Sequence, residues 1–338
     1  MGETSSRGLR ARLLLVLVNV VSLGSLIWTL RDAKLGELKE DLATMDWKWI
    51  ALAVVADIGV YFWHGLRWNL LLRPLTRVGF WRTVRAIYVG LFANEILPFR
   101  AGELLRCYLL SRWTELPFSV SLTSALIERI FDGIWLCLCL LLTLHYFQFP
   151  RRFRYPVDGG YALGVMVLAA AIVLGIAMFR RRRRTAEELP QKGWRKHWAV
   201  LIDDLNLIGH SRYLCLAFLQ SLPYLLLQTI PVWATFKGYG FDLSLADAFA
   251  LMVILRLTSA LPQAPGNIGL FQLFTKGVLI NMFNVVPDEA GRFSLVLWGI
   301  VTVPLLVGGF VALSIEEADI IQLQRDAQEE AAGLKTSR

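Results

Sequence analysis

The chain has 338 residues, 56% of them apolar and only 18% charged, with a mean hydropathy of +0.51. A soluble domain carries about 25% charge, so this composition excludes an ordinary soluble enzyme and describes an all-α polytopic membrane protein. The formal net charge of +8 comes mostly from arginines beside apolar runs, the pattern of membrane topology and anionic-lipid contact rather than of nucleic-acid binding.

A crossing needs roughly 20 apolar residues. Arg7, Arg10 and Arg12 precede the first such run, Leu13 to Leu30. Its length and the lack of an Ala-x-Ala exit predict an uncleaved first span rather than a signal peptide. Asp32 to Trp47 sets Leu35, Leu38 and Leu42 at helical spacing among charges, which predicts a short helix lying on the membrane interface. A second span is predicted over Trp49 to Leu72. Asp57 in its middle is expected to face the protein interior, and Arg67-Trp68 near its end reads either as a functional cation or as a snorkelling arginine with a belt tryptophan.

Ala86 to Trp113 is too short for two crossings and carries Asn94, Glu95, Arg100, Glu103 and Arg106. A re-entrant helical hairpin is predicted, broken at Leu97-Pro98-Phe99-Arg100-Ala101-Gly102. Irregular backbone at membrane depth survives only where it is buried in protein or lines a cavity, so the hairpin should face inward. Glu103 and Arg106 share a helix face at i, i+3, and Arg100 stands just before the break. A charge at depth costs roughly 2.5 to 3.5 kcal/mol on insertion scales, which points to function; the competing account is an interfacial loop whose arginines snorkel to headgroups.

The next span, Phe118 to Phe147, carries Glu128, Arg129 and Asp132, with the two acids at i, i+4. That trio suits a proton or a cationic headgroup, and suits a structural ion pair equally. After the span Tyr161 to Phe179 comes Arg180 to Arg184, joined by Lys192, Arg195 and Lys196. This marks residues 180–198 as a cytoplasmic loop, so the N- and C-termini are expected inside; Arg151, Arg152 and Arg154 would then fall outside, against the rule. Spans follow over Tyr213 to Phe236 and Phe293 to Leu313, and Ser314 to Leu334 predicts a charged cytoplasmic helix fading into a tail.

Between those two spans, Leu245 to Val286 repeats the broken hairpin. Leu261-Pro262-Gln263-Ala264-Pro265-Gly266 matches the Leu-Pro-x-x-x-Gly of the first break 164 residues earlier, and the same shift lands Trp49 on Tyr213. The expected architecture is six full spans plus two Pro/Gly-broken hairpins in an inverted repeat, with halves at about 47–147 and 211–313; eight spans is the alternative. Residues 1–313 would form one membrane domain and 314–338 an appendage.

Paired interruptions of this kind point to a substrate site in transporters. At Pro98, Gly102, Pro265 and Gly266 a restarted helix would present free N–H groups and a positive dipole end. Asn267, Gln272, Arg256 and Thr258 supply hydrogen bonds around the second break with little charge. Cys107, Cys137, Cys139, Cys215 and the four histidines show no metal or disulfide spacing. No phosphate loop, His-Glu-x-x-His or Gly-x-Ser-x-Gly occurs, so no metal, cofactor or catalytic centre is expected.

Leu66-Arg67-Trp68, the block from Leu97 to Arg106, Glu128-Arg129-Ile130-Phe131-Asp132, and Pro265-Gly266-Asn267-Ile268-Gly269-Leu270-Phe271 together resemble the flippase-like membrane family of the transmembrane region of lysylphosphatidylglycerol synthase, also called UPF0104. The resemblance runs from the first span to about Leu313. It implies movement of phospholipids or lipid-linked sugars between leaflets, without the synthase's soluble aminoacyl-transferase domain, for which this chain leaves no room. Three departures stand out: Gln272 replaces an acid, Trp298 occupies the span where the family often has an arginine, and Asp57 is not a feature of the pattern.

The expected function is therefore a translocase in the plasma (inner) membrane. Arg67, Arg100 and Arg106 would attract phosphate, Glu103 would orient them, and Pro265 to Asn267 would receive the headgroup on the other side. The expected partners are membrane lipids: an anionic or aminoacylated phospholipid, or a polyprenyl-linked sugar. A lipid transferase with Glu128 or Asp132 as base, and a non-catalytic partner of a cell-envelope enzyme, are the alternatives.

Overall fold

The computed structural model describes residues 2–97, 102–114, 116–147, 158–162, 164–169, 212–259, 261 and 263–336, and among these it is helical with no strand. In chain order the helices are α1 (Gly2–Leu30), α2 (Leu38–Thr44), α3 (Trp47–Leu72), α4 (Phe80–Ile96), α5 (Gly102–Thr114), α6 (Phe118–Tyr146), α7 (Arg212–Leu227), α8 (Thr229–Tyr239), α9 (Leu245–Thr258), α10 (Leu270–Phe283) and α11 (Pro287–Thr336).

Among the described residues, three segments are long and apolar enough to cross a membrane: Trp47–Leu72, Arg212–Tyr239 and Pro287–Ile315. They contain the predicted spans over Trp49, Tyr213 and Phe293. A fourth is reached only when Val16–Leu30 is taken together with Leu35–Thr44, which bends away by 77°. α6 is long enough at 29 residues, but Glu128, Arg129 and Asp132 lower its apolarity. The predicted span Tyr161 to Phe179 lies mostly outside the described residues, as does the basic run Arg180 to Arg184. The charged C-terminal segment continues α11 as helix to Thr336.

The two segments read as broken hairpins each consist of a pair of short helices. α4 and α5 have 17 and 13 residues, about 26 and 20 Å at 1.5 Å per residue. α9 and α10 have 14 each, about 21 Å. None reaches the roughly 30 Å of a hydrocarbon core. Glycine sets the closeness of the first pair: a Cβ on Gly102 would stand 1.8 Å from the Gly90 carbonyl oxygen. Such small-residue contacts let helix backbones meet where no hydrophobic force between helices exists.

α3 is the hub, packing against α4, α6, α7, α8 and α11. Its buried face carries Asp57, Tyr61, His64 and Arg67, spaced by four, three and three residues, so they lie on one side of the helix. A polar stripe about 15 Å long therefore runs through the middle of an apolar bundle. α11 closes over the first hairpin, where a Cβ on Gly308 or Gly309 would strike Tyr88 or Phe92 of α4 at 2.5 and 2.3 Å.

Candidate functional site

One end of the α3 stripe enters a charge network. The Arg67 guanidinium, 1% exposed, donates from Nη2 to Glu128 Oε1 at 2.7 Å, from Nε to the same oxygen at 3.2 Å, and from Nη1 to Ser221 Oγ at 2.9 Å. It also donates to Asp132 and lies over the Tyr224 ring at 4.4 Å. Glu128 is shared, because its Oε2 stands 2.8 Å from Arg106 Nη2 and its Oε1 3.0 Å from His64 Nε2. Arg106 reaches Glu103 at 2.7 Å, and Glu103 accepts from Arg129 Nη2 at 2.6 Å.

Three carboxylates thus face three guanidiniums, which removes the net charge from a cluster that hydrocarbon would not otherwise tolerate. The cluster is graded in exposure. Arg67, Arg106 and Glu128 are sealed, whereas the Arg129, Glu103 and Asp132 side chains are 44%, 27% and 19% exposed. Arg106 is the least satisfied member. It stacks on Trp68 at 4.8 Å and meets both its acids through the single nitrogen Nη2, while its buried Nε and Nη1 have no acceptor among the described residues.

The predicted residues Arg67, Gly102, Glu103, Arg106, Glu128, Arg129 and Asp132 are therefore brought to one place by α3, α5 and α6. Gly102 starts α5 with its N–H donated to Asn94 Oδ1 at 2.9 Å. Pro98 and Arg100 lie outside the described residues.

Pro265, Gly266, Asn267 and Gln272 do not join this network. They form the second break, where Pro265–Asn267 is a single 3-10 turn with Gly266 at φ 72 and Asn267 at φ 55. Its backbone groups are satisfied by neighbouring side chains. Ala264 N–H donates to Ser22 Oγ at 3.2 Å, the Trp298 indole donates to Gly266 O at 2.7 Å, and Gly269 N–H donates to Gln272 Oε1 at 2.7 Å. Gln272 and Trp298 are thus the supports of the irregular chain.

The two breaks meet. The Asn267 amide donates to both oxygens of Glu95, at 2.7 and 2.9 Å, and Glu95 sits in the last turn of α4, just before the first break. Beside this contact lies a cavity of about 160 Å³ lined by Asp57, Glu95, Gln228, Arg256, Gln263 and Asn267 among others. Tyr224 lines the cavity on one side and packs against Arg67 and His64 on the other, with ring centroids 4.9 Å apart for His64. His64, Glu95, Ser221 and Tyr224 were not singled out from the sequence as site residues. The 4-3-3 spacing of polar residues through α3 was a readable signal for His64; nothing in the spacing marks the others.

The site and fold define a helical membrane protein with two broken hairpins joined at their tips over a buried charge network. The chain matches the lysylphosphatidylglycerol synthase TM region over residues 13–309 and belongs to that family. It is 26% identical to a UPF0104 membrane protein of Methanothermobacter thermautotrophicus over 273 residues, 74% of this chain and 78% of that protein. A second such protein from the same organism is 20% identical over 284 residues, covering 76% and 81%. It is also 23% identical over 301 residues to the glycosyltransferase AglD of Haloferax volcanii, covering 76% of this chain but only 47% of that protein.

Proposed function

We propose that the protein is a translocase that moves the headgroup of a phospholipid, or of a lipid-linked sugar, from one leaflet to the other. The observation that carries this reading is the meeting of the two broken hairpins at Glu95 and Asn267, beside a cavity and a charge network with one sealed and one open end. Discontinuous helices that meet inside a membrane are how secondary transporters build their sites.

In this reading Arg129 and Glu103 form the entrance. A headgroup phosphate exchanges with Glu103 on Arg129, then reaches the unsatisfied donors of Arg106, while Glu128 keeps Arg67 and Arg106 in place. The acyl tails stay in lipid. The membrane is the inner (plasma) membrane, the termini face the cytoplasm, and six full spans flank the two hairpins. A lipid-linked sugar stands beside phospholipid as cargo because one relative carries the name of a glycosyltransferase.

The test is leaflet exchange of fluorescent anionic, aminoacylated and isoprenoid-linked lipids in proteoliposomes, comparing the intact chain with Arg129→Gln and Glu103→Gln. A hydrogen bond to a charged group contributes about 1.5–3 kcal/mol, so Arg129→Gln should slow exchange of the cargo lipid by about 10- to 100-fold. Exchange of none of the three lipid classes, or exchange that both substitutions leave unchanged, overturns the reading.

A further inference from the structure

The cavity between the hairpins is lined by two opposite charges that do not touch. Arg256, in the last turn of α9, is one of its lining residues, and its guanidinium has no hydrogen bond or ion pair among the described residues. Asp57 of α3 is another, and its buried Oδ2 has no hydrogen-bond partner among the described residues. An arginine at membrane depth is expensive and ordinarily paired. Glu95 is not spare for that role, because the Asn267 amide already holds both its oxygens.

Two further acceptors on the lining are bare, Gln228 Oε1 and Gln263 Oε1. Their orientations are fixed at the other end of each amide, since Gln228 Nε2 donates to Tyr224 O at 3.0 Å and Gln263 Nε2 to Thr258 O at 2.6 Å. The lining thus offers one unpaired guanidinium and three oxygen acceptors, one of them a carboxylate, with no net charge between Arg256 and Asp57. A simple anion would answer the guanidinium and strand the acceptors; a simple cation would do the reverse; a neutral polyol would leave the guanidinium charge unpaired. A zwitterion answers both. The volume of about 160 Å³ lies below the roughly 300 Å³ at which pockets for drug-sized ligands begin, so it suits a small headgroup without its acyl tails.

We infer that this cavity binds a zwitterionic headgroup, a phosphate joined to a primary ammonium, with the phosphate on Arg256 and the ammonium on the Asp57 carboxylate and the side-chain carbonyls of Gln228 and Gln263. An –NH₃⁺ group has three donors, which matches the three bare oxygens; a trimethylammonium has none and would leave all three stranded. This inference rests on the translocase reading and names the class of its cargo: a phospholipid that carries a primary amine, received where the two hairpins meet.

Binding is read without transport, on the purified full chain in phosphatidylcholine nanodiscs, as the thermal unfolding midpoint with soluble glycerophosphoethanolamine against glycerophosphocholine at equal ionic strength. The first should raise the midpoint saturably, by about 5 °C at a hundredfold excess over its Kd, and the second should leave it unchanged. Arg256→Gln, which removes no protein contact of the guanidinium, should weaken glycerophosphoethanolamine at least about tenfold, as should Asp57→Asn; if Asp57→Asn does not fold, Arg256→Gln carries the test. Equal midpoints with the two compounds overturn the inference, as does binding that Arg256→Gln leaves unchanged. Equal stabilisation by glycerol phosphate also overturns it, and reduces the cavity to a phosphate site. Amine-selective binding in a chain that exchanges no lipid would leave this site standing and remove the translocase, whereas lipid exchange without such binding would remove this inference alone.

Discussion

Glu128→Gln tests the charge network most directly. The substitution keeps the shape of a side chain that is 1% exposed and removes the charge that two buried guanidiniums share, through contacts of 2.7 Å to Arg67 and 2.8 Å to Arg106. What remains is Glu103 and Asp132 against three arginines. Breaking a buried pair from one side costs about 3–5 kcal/mol, because a desolvated charge is left behind. At about 2 °C per kcal/mol for a chain of this size, the unfolding midpoint in nanodiscs should fall by about 6–10 °C. Adding Arg67→Met to Glu128→Gln restores the balance, two acids against Arg106 and Arg129. The double variant should therefore recover about 2 kcal/mol relative to the sum of the singles, in the range measured for directly coupled residues. A Glu128→Gln protein within about 1 kcal/mol of the parent, or strictly additive singles, would refute the view that Glu128 is the shared counter-ion.

Gly102→Ala should separate the arms of the first hairpin, since its Cβ would sit 1.8 Å from Gly90 O; overpacking of this kind costs about 1–3 kcal/mol, visible as a lower midpoint and a lower monodisperse yield, and a neutral result would show that the arms are not in contact. Trp298→Phe removes the indole donor to the part-buried Gly266 O and should cost about 0.5–1.5 kcal/mol, the net worth of a typical hydrogen bond, read as a lower midpoint, while Trp298→Arg, which can donate again, should cost less. In the turn between α1 and α2, hydrogen bonding and charge from Glu37, with Asp288 behind it, hold Lys34 above its usual value. A raised lysine contributes stability that is fully present below its unfolded pKa of about 10.4 and is lost as pH climbs through the higher folded one. Glu37→Gln should therefore remove part of the alkaline limb in a pH scan of thermal unfolding.

What the sequence disclosed, and what it hid, divides along a physical line. Breaks are local: proline and glycine inside short apolar arms mark a hairpin wherever it lies in the fold, and both hairpins were legible from Leu97 to Gly102 and from Leu261 to Gly266. The i, i+3 and i, i+4 charges were legible for the same reason, because one helix face carries them. Pairing between helices is not written in spacing. Nothing in the sequence says that Glu128 stands between Arg67 and Arg106, or that Asn267 docks on Glu95, because those contacts are set by how α3, α5, α6 and the second break pack. The two departures at Gln272 and Trp298 illustrate the point. In the sequence they read only as an acid and an arginine replaced, whereas in the fold they hold the backbone at Gly269 and Gly266.

The α3 stripe joins these parts into one device. Asp57 and Tyr61 line the cavity, His64 and Arg67 enter the charge network, and Tyr224 from α7 packs between them. Glu128 is where the two ends depend on each other, because its two oxygens already serve Arg67, Arg106 and His64. Removing that one charge strands two buried guanidiniums at once, which is why a single substitution there should cost more than one at the half-exposed Arg129 or Glu103.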